Sequence, residues 1–94
     1  MAKAEWAGVV LAESDDVEIV ENYVYFPKGS VNHAHLRGVD FHTHCPWKGE
    51  ASYFTVIVEG AENPNAAFCY PAPSKEARHL KGRIAFWKGV TITR

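Results

Sequence analysis

Long hydrophobic runs are missing from this 94-residue sequence. No apolar stretch approaches the roughly 20 residues that a helix needs to cross a bilayer. The first ten residues, MAKAEWAGVV, also lack the long apolar stretch of a secretory signal. We therefore expect a cytoplasmic protein that makes no contact with a membrane.

Cysteine is scarce, and the common catalytic motifs do not occur. The two cysteines, Cys45 and Cys69, are too few for a disulfide framework, so we expect free thiols or metal ligands. Glycine-rich phosphate loops, serine nucleophile elbows and paired Asp-x-Asp metal ligands are all absent. The sequence therefore contains no motif that assigns an enzyme class by itself.

Neither sign of charge dominates, since the net charge is -1 at pH 7. Acidic side chains are concentrated in residues 1–22 and basic side chains in residues 72–94. This distribution predicts that the two ends of the chain meet on one sheet and neutralise each other. A nucleic-acid-binding domain is usually strongly basic, so we do not expect a nucleic-acid partner.

Apolar and aromatic residues, in contrast, are plentiful. Hydrophobic residues make up 47% of the sequence, which includes three Trp, four Tyr and five Phe. A chain of this length buries only about two-thirds of the surface that it exposes when unfolded, which leaves room for one core. We expect a single domain that spans residues 1–94.

Alternating and β-branched stretches predict a mostly β fold with antiparallel strands. Residues 9–11 and 17–20 flank a Ser/Asp cluster and are predicted to form a hairpin. Another strand is expected over residues 23–26, where Pro27 ends it. The clearest strand covers residues 51–59, and residues 67–70 are its expected partner across a turn in the sequence GAENPNA.

One short helix is expected near the C-terminus, over residues 75–81. Ser74 is a suitable N-cap, and Gly82 can adopt the left-handed conformation that ends a helix. Residues 83–87 and 90–93 are then predicted to form a last pair of strands around the turn Lys88-Gly89.

Four histidines lie within twelve residues, in two His-x-His pairs next to Cys45. Alternate residues of a strand share one face, so His42 and His44 could bind zinc or iron together with His33, His35 or Cys45. The carboxylate or second cysteine pair that would complete such a site is missing. We therefore favour the interpretation without a metal or other cofactor, and we keep a transition-metal site as an alternative.

Cys45 is also a candidate nucleophile. A thiol beside His44 and near Lys48 could be activated, with His44 or His42 as the base. Neighbours on a strand point to opposite faces, so contact between Cys45 and His44 does not follow from their sequence positions. The alternative is that Cys45 is a small buried apolar side chain.

Residues 46–49, Pro-Trp-Lys-Gly, have the composition of a turn, which places an indole near an ammonium group. This turn could bind an anion or stack on a planar group. In the alternative interpretation, Trp47 covers the core and Lys48 is solvated.

The stretch THCPWKGEASYF, with YVYFP before it and AAFCYPAPSKEARHLKGRIAFWKGV after it, resembles the bacterial family called domain of unknown function 427. The resemblance covers residues 10–90 and implies a bent antiparallel fold similar to the β-tent of methionine sulfoxide reductase B, without the zinc-binding Cys-x-x-Cys pairs of that relative. A nucleotidyltransferase label sometimes given to the family would require paired carboxylates for magnesium. This chain offers only Asp15-Asp16 and Asp40, so we do not adopt the label.

The resemblance also implies one pocket wall with its supporting core. His44 departs from the family pattern, which has a small or hydroxyl residue there, and Glu50 replaces a frequent Thr. We expect a small binding domain for a polar or anionic small molecule, with a thiol enzyme or a metal-binding protein as alternatives. Exposed strand edges would allow a homodimer. The pattern falls on Tyr25, Thr43, Cys45, Pro46, Trp47, Lys48, Gly49, Ala51, Tyr53, Tyr70, Pro71, Gly82 and Phe86, of which Tyr25, Thr43, Cys45, Trp47, Lys48, Tyr53 and Tyr70 are the expected pocket residues.

Overall fold

Nine β-strands and three short 3-10 helices make up the computed structural model, which describes residues 1–94. The mostly β, antiparallel fold is therefore confirmed. None of the helices has both the length and the apolar character required to cross a bilayer. The strands are β1 (Ala2–Trp6), β2 (Val9–Ser14), β3 (Glu18–Val20), β4 (Tyr23–Pro27), β5 (Leu36–Cys45), β6 (Gly49–Val58), β7 (Ala61–Cys69), β8 (Arg83–Phe86) and β9 (Thr91–Thr93), and the 3-10 helices are Lys28–Ser30, His33–His35 and Lys75–Leu80.

The strands form two antiparallel sheets. One has three strands in the order β2-β1-β9, and the other has six in the order β3-β4-β8-β7-β6-β5. Three tight turns connect β1 to β2, β3 to β4 and β6 to β7. Both central residues of each turn have positive φ, as in the type I′ turns whose twist matches that of the flanking strands. The central pairs are Ala7-Gly8 (51° and 77°), Glu21-Asn22 (54° and 70°) and Glu59-Gly60 (49° and 81°).

Two of the predicted strand pairings are wrong. Residues 9–11 and 17–20 lie in different sheets, because β2 pairs with β1 and β3 pairs with β4. Likewise, β8 joins the six-stranded sheet while β9 pairs with β1, so they do not form a hairpin. The first and last strands thus meet in one sheet, as the charge distribution predicted. The basic C-terminal segment also meets the acidic N-terminal one where Arg83 contacts Asp16.

The predicted turn in GAENPNA is much shorter in the structure, because β7 already begins at Ala61. Phe54 pairs with Ala67 and Val56 pairs with Asn63, so three residues of β7 stand opposite the single residue Thr55. This β-bulge contains Pro64 and Asn65, and Asn65 has a φ of 57°. A bulge accommodates proline because its residues make no regular ladder hydrogen bonds.

The helical segment near the C-terminus is present, although as a 3-10 helix, Lys75–Leu80, with a kink at Ala77. Gly82 follows it with a φ of 78°, as expected for a residue that ends a helix. Ser74 does not cap the helix with its side chain; its hydroxyl donates a hydrogen bond to the carbonyl of Trp47. The helix buries Ala77 and Leu80.

Each face of the six-stranded sheet has its own apolar cluster. The back face packs against the three-stranded sheet, and its cluster includes Val24, Phe26, Ile84 and Phe86 with Leu11 from β2. The front face carries the side chains that alternate with these along the strands. It is covered by the third 3-10 helix, and its cluster includes Tyr25, Phe68, Tyr70, Ala77, Leu80 and Ala85.

The turn between β5 and β6 depends on Gly49, whose φ is 111°. A Cβ atom on this residue would lie 3.3 Å from the Ala72 carbonyl oxygen and 3.4 Å from the Ser74 nitrogen. We predict that Gly49→Ala lowers the free energy of unfolding by about 1 to 3 kcal/mol, as measured by urea unfolding. Gly38→Ala is the control, since a Cβ there meets nothing within 4 Å. Equal effects of the two substitutions would contradict this account.

Candidate functional site

The turn formed by residues 46–49 joins β5 to β6 and is held against residues 71–74. The Ser74 N–H donates a 2.8 Å hydrogen bond to the carbonyl of Lys48, and the Ser74 hydroxyl donates to the carbonyl of Trp47. These bonds fix the backbone of both residues. The Lys48 side chain consequently lies at the front face, against Tyr70.

Lys48 carries a buried charge. Only 5% of its side chain is exposed, and its ammonium forms an ion pair with the Glu21 carboxylate. Its Nζ lies 5.3 Å from the centre of the Tyr70 ring and 5.5 Å from that of Trp47, which is within the range of cation–π attraction. The Trp47 indole N–H also donates a 3.3 Å hydrogen bond to the second Glu21 oxygen. The ammonium is thus enclosed by two aromatic rings and one carboxylate.

The Glu21 carboxylate is the solvent-facing member of this group, with 53% of its side chain exposed. Hydrogen bonds from Lys48 and then from Trp47 lower the pKa of Glu21. Burial disfavours the charged form of Lys48, but the hydrogen bond to Glu21 and the nearby Tyr25 and Tyr70 outweigh it, so the pKa of Lys48 is raised. Both groups are therefore charged at neutral pH.

Tyr25 lies next to this ion pair and is fully buried. Its hydroxyl group forms no hydrogen bond of regular geometry, although the Lys48 ammonium lies close enough to affect its pKa. Burial raises the pKa of Tyr25 to about 12, and the positive charge of Lys48 only partly opposes that rise. Buried hydroxyl groups are almost always paired, so the site contains one unused hydrogen-bond donor.

A cleft of about 150 Å³ opens beside Lys48 on the front face; we call it the aromatic cleft. Phe68 lies at its centre, with ring centres at 5.3 Å from Tyr23, 5.9 Å from Tyr53 and 6.0 Å from Trp87. The Trp87 indole N–H donates a 2.7 Å hydrogen bond to the carbonyl of Asn65 in the bulge, which fixes the orientation of the ring. The lining consists of Lys48 and five aromatic side chains, Tyr23, Tyr53, Phe68, Tyr70 and Trp87.

The predicted pocket residues take different positions around this cleft. Lys48, Tyr53 and Tyr70 line it, whereas Tyr25 lies behind its wall. Thr43 shares a 2.9 Å hydrogen bond with the Tyr53 hydroxyl, so it orients a lining residue. Trp47 does not line the cleft; its ring lies against the Lys48 ammonium and its indole N–H donates to Glu21.

Sequence reasoning missed three of the lining residues, namely Tyr23, Phe68 and Trp87. The signal was strand alternation. Tyr23 precedes the predicted Tyr25 by two residues on β4, and Phe68 precedes the predicted Tyr70 in the same way. Residues spaced by two share a face, so both could have been found from the strand assignments.

Cys45 and the histidines are not brought together. Cys45 is partly buried and packs against the front-face cluster. His42 and His44 alternate with Thr43 and Cys45 along β5, so they point the other way. The His42 ring shares a 3.2 Å hydrogen bond with the Ser52 hydroxyl.

The other histidine pair also bonds to the protein itself. His33 donates to the carbonyl of Lys28 at 3.0 Å, and His35 donates to that of Ile57 at 2.9 Å. No group of three or more His, Cys, Asp or Glu side chains is arranged to hold a metal ion. The structure therefore does not assemble the ligand set considered for zinc or iron.

Comparison with known proteins adds one finding. A family model described as domain of unknown function (DUF427) matches residues 1–93. That range includes the Lys48–Glu21 pair and every residue of the aromatic cleft. No curated protein matches the chain.

Unequal exposure of Lys48 and Glu21 predicts unequal effects of removing each charge. Glu21→Gln leaves a buried ammonium without its counter-charge, which is costly. Lys48→Met replaces the ammonium with an apolar group and leaves a carboxylate that water can solvate. We predict that Glu21→Gln lowers the melting temperature more than Lys48→Met does, as measured by calorimetry at neutral pH. The reverse order would show that the ammonium is solvated in the folded protein.

The buried Tyr25 hydroxyl predicts a loss of stability in alkali. The unfolded chain releases this proton near the ordinary pKa of 10.0, and the folded protein releases it only near 12. The contribution of the protonated Tyr25 hydroxyl to the free energy of unfolding is therefore fully present below about pH 10, and it is lost as the pH rises from 10 towards 12. We predict that Tyr25→Phe reduces this loss, because the variant has no hydroxyl proton to release in either state. Urea unfolding at several pH values tests this effect, and identical pH profiles of the two proteins would contradict it.

Proposed function

The chain belongs to the DUF427 family, and from that premise we propose that it binds a small planar molecule with an anionic group in the aromatic cleft. The observation that carries the proposal is the position of Lys48. Lys48 lines the cleft, while its one carboxylate partner, Glu21, lies half in solvent. We infer that a ligand anion approaches the ammonium from the cleft and either shares it with Glu21 or displaces Glu21.

The charge on Lys48 supports an anionic group on the ligand. Because its pKa is raised, this ammonium stays protonated over the whole neutral range. An anion inside an apolar cleft gains more from such a charge than it would in water, since the aromatic walls lower the local dielectric constant. Binding also requires little further ordering of the Lys48 side chain, because two aromatic rings already hold it in place.

The walls support a flat apolar part. Aromatic side chains stack on planar groups, and the T-shaped contacts around Phe68 keep these walls in place. The volume of about 150 Å³ is below the roughly 300 to 1,000 Å³ of sites for drug-sized ligands. We therefore infer a ligand, or an inserted part of a larger one, that is close to a single ring in size.

Benzoate is a suitable first probe, and benzyl alcohol is its uncharged control. We predict that benzoate binds more tightly than benzyl alcohol in isothermal titration calorimetry. Lys48→Met should lower the affinity for benzoate by at least about tenfold, because the variant loses one charge-assisted hydrogen bond to the ligand. Lys75→Met removes an exposed lysine outside the cleft and should leave the affinity unchanged.

Glu21→Gln makes the test sharper, because it removes the carboxylate that competes for Lys48. Benzoate should then bind more tightly even though the protein is less stable. If benzoate and benzyl alcohol bind alike, or if Lys48→Met does not change the benzoate affinity, the proposal is wrong.

A further inference from the structure

A second cleft, about 320 Å³ in volume, opens on the back face of the six-stranded sheet. It is separate from the aromatic cleft, because its apolar floor consists of Phe54 and Ile84, which alternate with the front-face residues Tyr53 and Ala85. Its rim carries Lys28, His33, Lys81 and Arg83. We call it the basic cleft.

The topology brings these basic residues together from distant parts of the sequence. Pro27 at the end of β4 pairs with Arg83 at the start of β8. The Lys28 N–H then donates a 2.9 Å hydrogen bond to the carbonyl of Gly82. Lys28 and Lys81 consequently lie at the same end of the sheet, although more than fifty residues separate them in the sequence.

Only one of the basic side chains of the cleft, Arg83, has an acidic partner. None of its lining residues is acidic. The Arg83 side chain, 17% exposed, is held by Asp16, whose backbone carbonyl accepts at 2.7 Å and whose carboxylate accepts at 3.3 Å. Lys28 and Lys81, in contrast, are exposed and form no ion pair. Two lysines without an ion-pair partner therefore line a cleft that has an apolar floor.

We propose that the basic cleft binds a small organic phosphate. A phosphate monoester is close to doubly charged at neutral pH and has three acceptor oxygens, so it can accept from both Lys28 and Lys81. Lysine is a common phosphate ligand that acts as a point charge. The organic part packs on Phe54 and Ile84, and the volume lies at the lower end of the range for small-molecule sites.

Cys69 lines the same cleft and provides a local reporter. Burial raises the pKa of the Cys69 thiol, which the charge of Lys28 only partly opposes. The thiol is therefore protonated at neutral pH, which fits a binding role for the cleft and does not favour a nucleophilic one. Cys45 packs against the front-face cluster, so it reports on the other side of the sheet.

The experiment is alkylation of both cysteines by iodoacetamide at mildly alkaline pH, followed by peptide mass spectrometry, with phenyl phosphate or inorganic phosphate as the probe. We expect phenyl phosphate to slow the labelling of Cys69 and to leave Cys45 unchanged. The double substitution Lys28→Gln and Lys81→Gln should raise the phenyl phosphate concentration needed for half protection by at least about tenfold. Lys75→Gln with Lys88→Gln makes the same charge change outside the cleft and should have little effect.

Three outcomes would overturn the proposal. If phenyl phosphate does not slow the labelling of Cys69, it does not occupy the cleft. Equal protection in the two double variants would show that net charge alone attracts the anion. If inorganic phosphate protects Cys69 from labelling as well as phenyl phosphate does, the apolar floor does not bind the organic part of the ligand. Protection that persists in Lys48→Met separates this result from the proposal for the aromatic cleft.

Discussion

The burial of one ammonium group, that of Lys48, is the constraint on which the front face of the protein depends. Removing a charge from water is unfavourable unless a counter-charge and polar contacts replace the lost hydration. Here the counter-charge comes from Glu21, which a type I′ turn holds at a φ of 54° although it is neither Gly nor Asn. The two hydrogen bonds that Ser74 donates to the carbonyls of Lys48 and Trp47, one from its N–H and one from its hydroxyl, supply the other half of the arrangement. Two turns that are distant in sequence therefore have to meet for this charge to be tolerated.

The elements that the sequence predicts best are those whose local pattern and tertiary role agree. β6 alternates apolar side chains because both of its faces are covered, and its partner β7 was predicted with it. β1 was not predicted, since its buried residues are only Ala2 and Ala4. β5 was not predicted either, because it is an edge strand with mostly exposed, polar side chains. Which strands pair is decided by packing between distant segments, and turn residues alone do not determine it.

The candidate site shows the same division. The Pro-Trp-Lys-Gly turn indicated Lys48 as a site residue, because it places an indole next to an ammonium group. Nothing local indicated that Glu21 would be that partner, since the ion pair joins two turns that come together only when β3 and β4 join the sheet. The histidine cluster shows that closeness in sequence does not by itself bring side chains together in the fold. Four histidines close in sequence are placed on different elements, and three of them bond to nearby protein groups.

The β-bulge in β7 determines how this strand can accommodate a change in its length. Three residues stand there opposite one, so β7 has two residues more than the matching part of β6, and this even number preserves the alternation of side chains. Phe68 therefore points to the front and Cys69 to the back. A deletion of one residue among 64–66 would still leave two residues opposite Thr55, the arrangement that β2 already has at Leu11. The bulge can therefore absorb a change in the length of β7 without moving Phe68 and Cys69 to the opposite faces of the sheet.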